Sequence, residues 1–269
     1  MRVIKAVVTD LDGTIVDHAG QISTATVRAL SQLADRKIPV IVATARTPSW
    51  LAAAEPLVRW VTVAACCGGA IGWSPHSGAI LWRETIPPIR VDMVVQSSLA
   101  QLSNAGFGAY DGEQWRVTET FAATGPARVG IKRIVSPAEI AQKPVCVMCV
   151  CHPNLGPGRV KLSRLVTSIA PQLSVAYADG LADIAPAGVD KAAGVARALA
   201  EGAIDPAHAI AFGDAIADVP MFQLCGYSVA MANAHPEAIA AATAVAASVD
   251  NDGFARTLAE LDVICDPCQ

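Results

Sequence analysis

The chain opens with the run Val3-Ile4-Lys5-Ala6-Val7-Val8-Thr9-Asp10-Leu11-Asp12-Gly13-Thr14, in which an apolar segment stops abruptly at two aspartates. The β-branched stretch from Val3 to Val8 predicts a strand buried on both faces. Backbone amides are free to face a ligand where a strand gives way to a turn, and carboxylates at such a place attract a hard cation. We therefore predict that Asp10 and Asp12 lie at the carboxyl end of a buried first strand.

Helical and strand patterns alternate after this run. Ser23 is a candidate N-cap for a helix to about Lys37, and Thr47-Pro48 can begin a second helix to about Arg59. Ile38 to Ala43 and Val61 to Ala65 predict the next two buried strands. Such βαβ alternation predicts a parallel sheet that binds ligands at the carboxyl ends of its strands.

The alternation is interrupted in the middle of the chain. A hairpin from Ile71 to Trp82 is followed by Pro87-Pro88, and the next hundred residues mix short strands with helices. The alternation resumes after about Gly180. We predict an α/β fold, a Rossmann-like doubly wound parallel-sheet core formed by residues 1–82 and 181–269, with an inserted α+β cap domain at residues 83–180.

Composition excludes several functional classes. The chain has 269 residues, 53% of them hydrophobic, and a formal net charge of −4, which disfavours nucleic acid as a partner. No stretch has the length of a membrane span, and Lys5 interrupts the only candidate signal segment. We expect a cytoplasmic protein with reduced thiols, no membrane association and no nucleic-acid partner.

Two later segments resemble the end of the first strand. Thr44-Ala45-Arg46 follows the second predicted strand, and Gly213-Asp214-Ala215-Ile216-Ala217-Asp218 follows a late one. If these strands are neighbours, Asp10, Asp12, Asp214 and Asp218 surround one point, where only a divalent cation would relieve their repulsion. Lys191, at the start of a predicted helix, can bring a positive charge there. These groups together suit phosphoryl transfer.

Each signal is weaker when taken alone. An Asp-x-Asp pair at a strand end also occurs in metal-dependent glycosyltransferases and in ordinary turns. Arg46 either faces the site or forms a surface ion pair.

The four segments in this order resemble the haloacid dehalogenase superfamily of phosphatases, specifically its Cof-type branch. They are Asp10 to Thr14, Thr44 to Arg46, Lys191, and Gly213 to Asp218. Asp183 to Lys191 is similar to that branch's approach to its lysine, and Met231-Ala232-Asn233-Ala234 resembles its later Gly-Asn-Ala segment. In this branch a large α/β cap is inserted between the second and third segments.

The resemblance implies a role for each residue. Asp10 would be the nucleophile that forms an aspartyl-phosphate, and Asp12 would be the general acid and base. Thr44 and Lys191 would bind the phosphoryl oxygens, and Arg46 would contact the substrate. Mg²⁺ would be held by Asp10, the carbonyl group of Asp12, and Asp214, with Asp218 in support. The implied substrate is a small phosphorylated metabolite, with sugar phosphates favoured by the resemblance alone.

Two positions depart from the family pattern. Ala217 replaces an asparagine of the fourth segment, and Cys67-Gly68-Gly69-Ala70 replaces an Asn-Gly-Ala at the end of the third strand. These departures leave two alternatives open beside a phosphatase: a phosphoryl-transferring mutase, or a degenerate protein that binds a phosphorylated metabolite without turnover.

Two Cys-x-x-Cys pairs occur, Cys146/Cys149 and Cys265/Cys268. On a strand, residues three apart point to opposite faces, so we expect Cys146 and Cys149 to be packed thiols. The C-terminal pair leaves a disulfide or a metal contact open.

Overall fold

The computed structural model describes residues 3–54, 57–125, 132–155, 161–178 and 181–266. The chain divides into two compact units. Met1–Leu81 and Lys191–Gln269 together form the first, which we call the core domain, and Trp82–Asp190 form the second, the inserted domain.

The strands are β1 (Ala6–Thr9), β2 (Val40–Ala43), β3 (Val63–Cys66), β4 (Ile71–Trp73), β5 (Ile80–Arg83), β6 (Gly106–Tyr110), β7 (Trp115–Val117), β8 (Lys132–Ile134), β9 (Val147–Cys151), β10 (Ser174–Ala178), β11 (Leu181–Ala185), β12 (Ala209–Gly213), β13 (Tyr227–Ala230) and β14 (Ala244–Val245). The α-helices are α1 (Thr24–Asp35), α2 (Pro48–Ala52), α3 (Pro88–Gln101), α4 (Glu119–Thr124), α5 (Pro137–Ile140), α6 (Lys161–Ile169), α7 (Lys191–Glu201), α8 (Val219–Leu224), α9 (Pro236–Ala241) and α10 (Gly253–Glu260).

The core sheet has the order β14-β13-β12-β1-β2-β3-β4-β5. The pairs from β14 to β3 are parallel, and β4 is antiparallel to β3. From β1 the chain proceeds outward through β2 and β3, whereas from β12 it proceeds outward on the other side. The order in which the chain adds strands therefore reverses between β1 and β12. Ligands of open α/β sheets bind at such a switch point. The predicted parallel-sheet core is confirmed.

Local sequence explains the first helices of the core. The Ser23 hydroxyl accepts a hydrogen bond from the Thr26 amide at 3.1 Å and begins α1, and the Thr47 hydroxyl caps α2. The predicted helix to Arg59 is wrong, because α2 ends at Ala52 and a separate 3₁₀ turn spans Leu57–Trp60. The sequence has a proline at position 56, and proline is disfavoured inside a helix because it has no amide hydrogen to donate.

Helix α7 lies against the sheet because Gly194 has no side chain. A Cβ atom at this position would lie 2.8 Å from the Ala65 Cβ atom and 2.8 Å from the Gly69 Cα atom. This close approach sets the position of Lys191 at the beginning of the same helix.

The inserted domain is an independent α+β unit with a sheet of order β10-β11-β9-β6-β7-β8. Its pairs are antiparallel except for β7 with β8. Phe107, Met148 and Ile184 of this sheet form one buried cluster with Val91 of α3 and Leu162 of α6.

We predicted that the core domain resumes at residue 181, but it resumes later in the chain. Strand β11 pairs with β9 and β10, both strands of the inserted sheet, and the core domain resumes at Lys191. The pattern of Leu181–Ala185 predicts a buried strand equally well in either sheet, so only its pairing partners decide the boundary.

Cys146 and Cys149 are buried thiols outside any disulfide, as predicted. Burial raises the pKa of Cys146 to about 11, which keeps it protonated and unreactive at neutral pH. Cys265 is an exposed free thiol, and Cys268 lies outside the described residues. No helix in the described part of the chain is long and apolar enough to cross a membrane.

Candidate active site

The predicted site residues of the core domain meet at the switch point of the sheet. Asp10 directly follows β1, and its amide donates a hydrogen bond to the Phe212 carbonyl of β12 at 2.9 Å. Thr44 directly follows β2, and Asp214 directly follows β12. Neighbouring parallel strands end at the same edge of a sheet, so the residues that follow them lie close together.

Lys191 joins two of the carboxylates. Its Nζ atom lies 2.9 Å from Asp10 Oδ1 and 2.6 Å from Asp218 Oδ1. All three side chains are buried, with Asp218 fully inaccessible. A buried ammonium between two carboxylates holds both in fixed positions, because separating the charges would leave each without a partner.

Asp218 organises the loop after β12. Its Oδ2 atom accepts hydrogen bonds from the amides of Asp214 and Ala215, at 2.9 and 2.8 Å, while Oδ1 accepts from Lys191. Both of its oxygen atoms thus have partners from the protein. Asp218 therefore fixes the backbone that carries Asp214.

The turn after β1 fixes the Asp214 side chain. The Thr14 hydroxyl donates a hydrogen bond to Asp214 Oδ1 at 3.0 Å. Gly13 has a φ of +84°, and a Cβ atom there would lie 2.8 Å from the Asp214 Cγ atom and overlap the carboxylate. Gly13 is thus required both for its backbone conformation and for the space that Asp214 occupies.

The carboxylates resist ionisation without a cation. Burial raises the pKa of Asp214 to about 6, with a further increase from the charge of Asp218. Burial also raises the pKa of Asp10, an effect that the Lys191 ammonium opposes. The Asp10 and Asp218 charges raise the pKa of Lys191 despite its burial, so the ammonium persists at neutral pH.

These residues fit a divalent cation. Asp10, Asp214 and Asp218 each offer a carboxylate oxygen, and the three atoms lie within 4.8 Å of one another. Three carboxylates face one ammonium, and a divalent cation would balance the excess negative charge. Because both oxygens of Asp218 already have partners, Asp10 and Asp214 are the better candidates for direct ligands. Oxygen ligands of this kind suit Mg²⁺.

We expect Gly13→Ala to weaken this site more than the same change at another glycine with positive φ. The alanine methyl group would displace the Asp214 carboxylate, and the free energy of unfolding should fall by about 1–3 kcal/mol beyond the cost of the backbone conformation. Urea denaturation and Mg²⁺-induced thermal stabilisation measure both effects. Gly20→Ala is the matched control, since φ is +76° there and nothing lies within 4 Å. Equal losses in the two variants would contradict the prediction.

Arg46 contacts Asp12. Its Nε and Nη2 atoms donate hydrogen bonds to Asp12 Oδ2 and Oδ1, at 3.0 and 2.5 Å. The Arg46 side chain is only 11% exposed, whereas that of Asp12 is 57% exposed. The Asp12 side chain is therefore exposed and lies apart from the buried carboxylate cluster, where it is bound by a buried arginine.

Thr44 is buried, and its hydroxyl oxygen accepts a hydrogen bond from the Arg46 amide at 3.1 Å. The hydroxyl still carries its own hydrogen, which it can donate to an anion.

Sequence reasoning assigned no role to two residues near the site. Trp50 lies 4.9 Å from the Arg46 guanidinium carbon, measured to its ring centroid. The Asn233 side chain donates to the Gly13 carbonyl at 2.8 Å and accepts from the Val249 amide at 3.0 Å, so it links two loops of the site. Trp50 follows Arg46 by four residues in the sequence, and this spacing could have indicated a contact between them.

The departures at Ala217 and Gly68 leave the framework of the site in place. Asp218 makes its contacts to the Asp214 and Ala215 amides with alanine at position 217. Gly68, with φ of +65°, donates its amide hydrogen to the Thr44 carbonyl at 2.9 Å, a contact that needs no side chain.

The fold and the site together define a Rossmann-like α/β enzyme core with an acidic centre at its switch point. The family comparison identifies the particular group. The model of the haloacid dehalogenase-like hydrolases matches residues 7–258, so the protein belongs to that family and is a hydrolase. The family membership expected from the sequence motifs is confirmed.

Individual relatives agree with this assignment. A phosphoglycolate phosphatase from Halorubrum lacusprofundi is 28% identical over 254 residues, which cover 94% of this chain and 95% of that protein. Other curated relatives match over stretches of 71 to 90 residues. For three of them the match spans 32% or less of their own length.

Solved structures share the fold over nearly the whole chain. A sugar phosphatase of subclass IIB of this superfamily has a TM-score of 0.82 at 20% identity, with 97% of this chain and 100% of that chain covered. A phosphatase of the same superfamily from Bacteroides thetaiotaomicron has a TM-score of 0.80 at 25% identity, covering 97% of this chain and 96% of that one. The full-length relative and these two structures are named as phosphatases, which are phosphoric monoester hydrolases, and the subclass IIB fold agrees with the expected Cof-type branch.

Proposed function

We propose that this protein is a Mg²⁺-dependent phosphatase that hydrolyses small phosphorylated metabolites through an aspartyl-phosphate on Asp10. The observation that carries the proposal is the buried Asp10 carboxylate, 2.9 Å from the Lys191 ammonium, within a cluster able to hold a cation. The name of the full-length relative suggests phosphoglycolate as one candidate substrate, and the motif resemblance suggests sugar phosphates as others.

Asp10 and Lys191 would begin the reaction. An Asp10 oxygen attacks the phosphorus atom, and the bond between phosphorus and the substrate's ester oxygen breaks. Lys191 and the Thr44 hydroxyl bind the phosphoryl oxygens and stabilise the charge that spreads over them. Asp10, Asp214 and the Asp12 carbonyl group would hold Mg²⁺, whose positive charge would let the anionic nucleophile approach the anionic ester.

Asp12 would handle the protons. It donates one to the leaving alcohol, and it then takes one from the water that attacks the phosphorus atom of the aspartyl-phosphate. The bond between phosphorus and Asp10 breaks, so inorganic phosphate leaves and the Asp10 carboxylate is restored. The exposed position of Asp12 beside the buried cluster suits a group that must meet both the alcohol and water.

Phosphate release from a panel of phosphorylated compounds tests the proposal. The panel contains phosphoglycolate, hexose phosphates, nucleoside monophosphates and p-nitrophenyl phosphate, each with Mg²⁺ and with EDTA. We expect release only with the metal. A product isomer without free phosphate would indicate a mutase instead, and tight substrate binding without turnover would indicate a binding protein.

Stability of the metal-free protein should fall as pH rises. The pKa values of Asp10 and Asp214 are raised in the folded protein, so the folded state holds protons that the unfolded chain releases. The contribution of these two groups to stability is complete below about pH 4, where the aspartates of the unfolded chain are protonated. It is lost as pH rises through about 6 at Asp214 and higher at Asp10.

Thermal unfolding in EDTA and in Mg²⁺ between pH 5 and 8 measures this dependence. We expect the stabilisation by Mg²⁺ to grow with pH, because the cation competes with fewer bound protons. Asp214→Asn should flatten the dependence and reduce the Mg²⁺ effect, whereas Asp35→Asn at the exposed end of α1 should change neither. A Mg²⁺ effect that is independent of pH would contradict the assignment of the cluster.

A further inference from the structure

We propose that Trp50 is a positioning residue that holds the Arg46 guanidinium on Asp12 and so fixes the orientation of the Asp12 carboxyl group, the proposed general acid. The inference rests on the proposed function, in which Asp12 transfers protons, and it assigns roles to Arg46 and Trp50 beyond substrate contact. Two hydrogen bonds from one guanidinium edge make the Arg46–Asp12 pair.

Two hydrogen bonds from one planar group fix the orientation of a carboxylate as well as its distance. The Asp12 side chain is 57% exposed, and among the described residues Arg46 makes the side-chain hydrogen bonds that limit its rotation. An aspartate carboxylate that turned freely would meet the leaving alcohol in only some of its orientations, and misplacement by about 1 Å can cost about a hundredfold in rate.

Arg46 is itself held from several sides. Its amide donates to the Thr44 hydroxyl at 3.1 Å, and its carbonyl accepts from the Cys67 amide at 2.9 Å. These contacts fix the backbone of Arg46. They leave the direction of its long side chain to be set by another group.

Trp50 is that group. Its ring centroid lies 4.9 Å from the guanidinium carbon, a distance at which the ring face attracts the cation. The Trp50 amide donates to the Thr47 hydroxyl at 3.3 Å, which is the cap of α2, so the indole is anchored to the same loop as Arg46. Short helix α2 therefore serves to place an aromatic ring against the arginine that orients Asp12.

A comparison of two leaving groups separates this role from a general structural one. Nitrophenolate leaves without being protonated, whereas an alkoxide needs the proton from Asp12. The ratio kcat/KM reports only steps up to departure of the leaving group. In Trp50→Leu we expect kcat/KM to fall about tenfold for phosphoglycolate or hexose phosphates and to stay within about twofold for p-nitrophenyl phosphate. Arg46→Gln should show the same selectivity with a larger loss.

Matched variants define the controls. Trp50→Phe keeps an aromatic face and should recover most of the alkyl phosphate activity. Trp60→Leu removes a half-buried indole from the neighbouring 3₁₀ turn and should not change the ratio between the two substrates. An equal loss for both substrates in Trp50→Leu would overturn the inference and leave the phosphatase intact. No release from any ester by the wild type with Mg²⁺ would instead overturn the proposed function.

A second measurement does not depend on turnover. In ¹⁵N NMR spectra of the arginine side chains, the Arg46 Nε–H group is identified by its loss in Arg46→Gln. Because this group is buried and bonded to Asp12, its hydrogen should exchange slowly with solvent. We expect Trp50→Leu to accelerate the exchange about tenfold, whereas Trp60→Leu should not. Unchanged exchange in Trp50→Leu would overturn the inference whatever the activity.

Discussion

Asp10→Asn should abolish phosphate release while leaving the protein folded. The amide has the shape of the carboxylate but cannot act as the nucleophile, so we expect release to fall by roughly four orders of magnitude. The metal-free variant should nevertheless unfold at a higher temperature than the wild type at pH 8, because one buried carboxylate of the cluster is removed. Lys191 keeps its 2.6 Å contact with Asp218, so its charge does not lose every partner.

Detection of the phosphorylated enzyme distinguishes a nucleophile from a mere metal ligand. Wild-type protein is quenched in acid during turnover, and mass spectrometry of its peptides should place one phosphoryl group on Asp10. Asp35→Asn controls for removal of an aspartate elsewhere and should retain full activity. Retention of activity in Asp10→Asn would refute the proposed mechanism, and a phosphoryl group on another residue would reassign the nucleophile.

Lys191→Met should cause the largest loss of stability at the site. The ammonium is the buried cation between Asp10 and Asp218, and its removal leaves their charges uncompensated. Breaking a buried ion pair in this way costs about 3–5 kcal/mol of the free energy of unfolding. Urea denaturation in EDTA at pH 8 measures the loss, which should shrink at pH 5 as Asp10 takes up a proton.

The double variant Asp10→Asn/Lys191→Met supports the interpretation if Lys191→Met alone is too unstable to purify. Removal of both partners leaves fewer uncompensated charges, so the double variant should be more stable than Lys191→Met. Lys5→Met, at an exposed lysine, should leave stability unchanged. Additive effects of the two substitutions would show that the pair is not energetically coupled.

Much of the site could be predicted from the sequence because its parts lie at strand ends. An apolar run that stops at Asp10, and another that stops at Gly213-Asp214, mark the carboxyl ends of two buried strands whatever the rest of the chain does. The place of β11 could not be predicted in this way. Its alternation fits either sheet, and the pairing with β9 that decides the matter joins residues distant in sequence.

The roles of single side chains show the same division. The sequence indicated Arg46 as a group near the site but left its partner open, because a side chain of that length can reach several points. Only the folded core brings the guanidinium onto Asp12 and beneath Trp50. Likewise, Asp218 was predicted as a supporting metal residue, and only the structure gives its contacts with Lys191 and the Asp214 backbone.

The sequence by itself determined the family, the α/β class of the core and the identity of the residues at the sheet's switch point. These features depend on local periodicity and on residue types at strand ends, which short stretches of chain carry in full. The tertiary structure alone decided which carboxylates share the lysine, which carboxylate the arginine contacts and where the inserted domain ends. Each of these depends on distances between residues far apart in the chain, and such distances are set by packing.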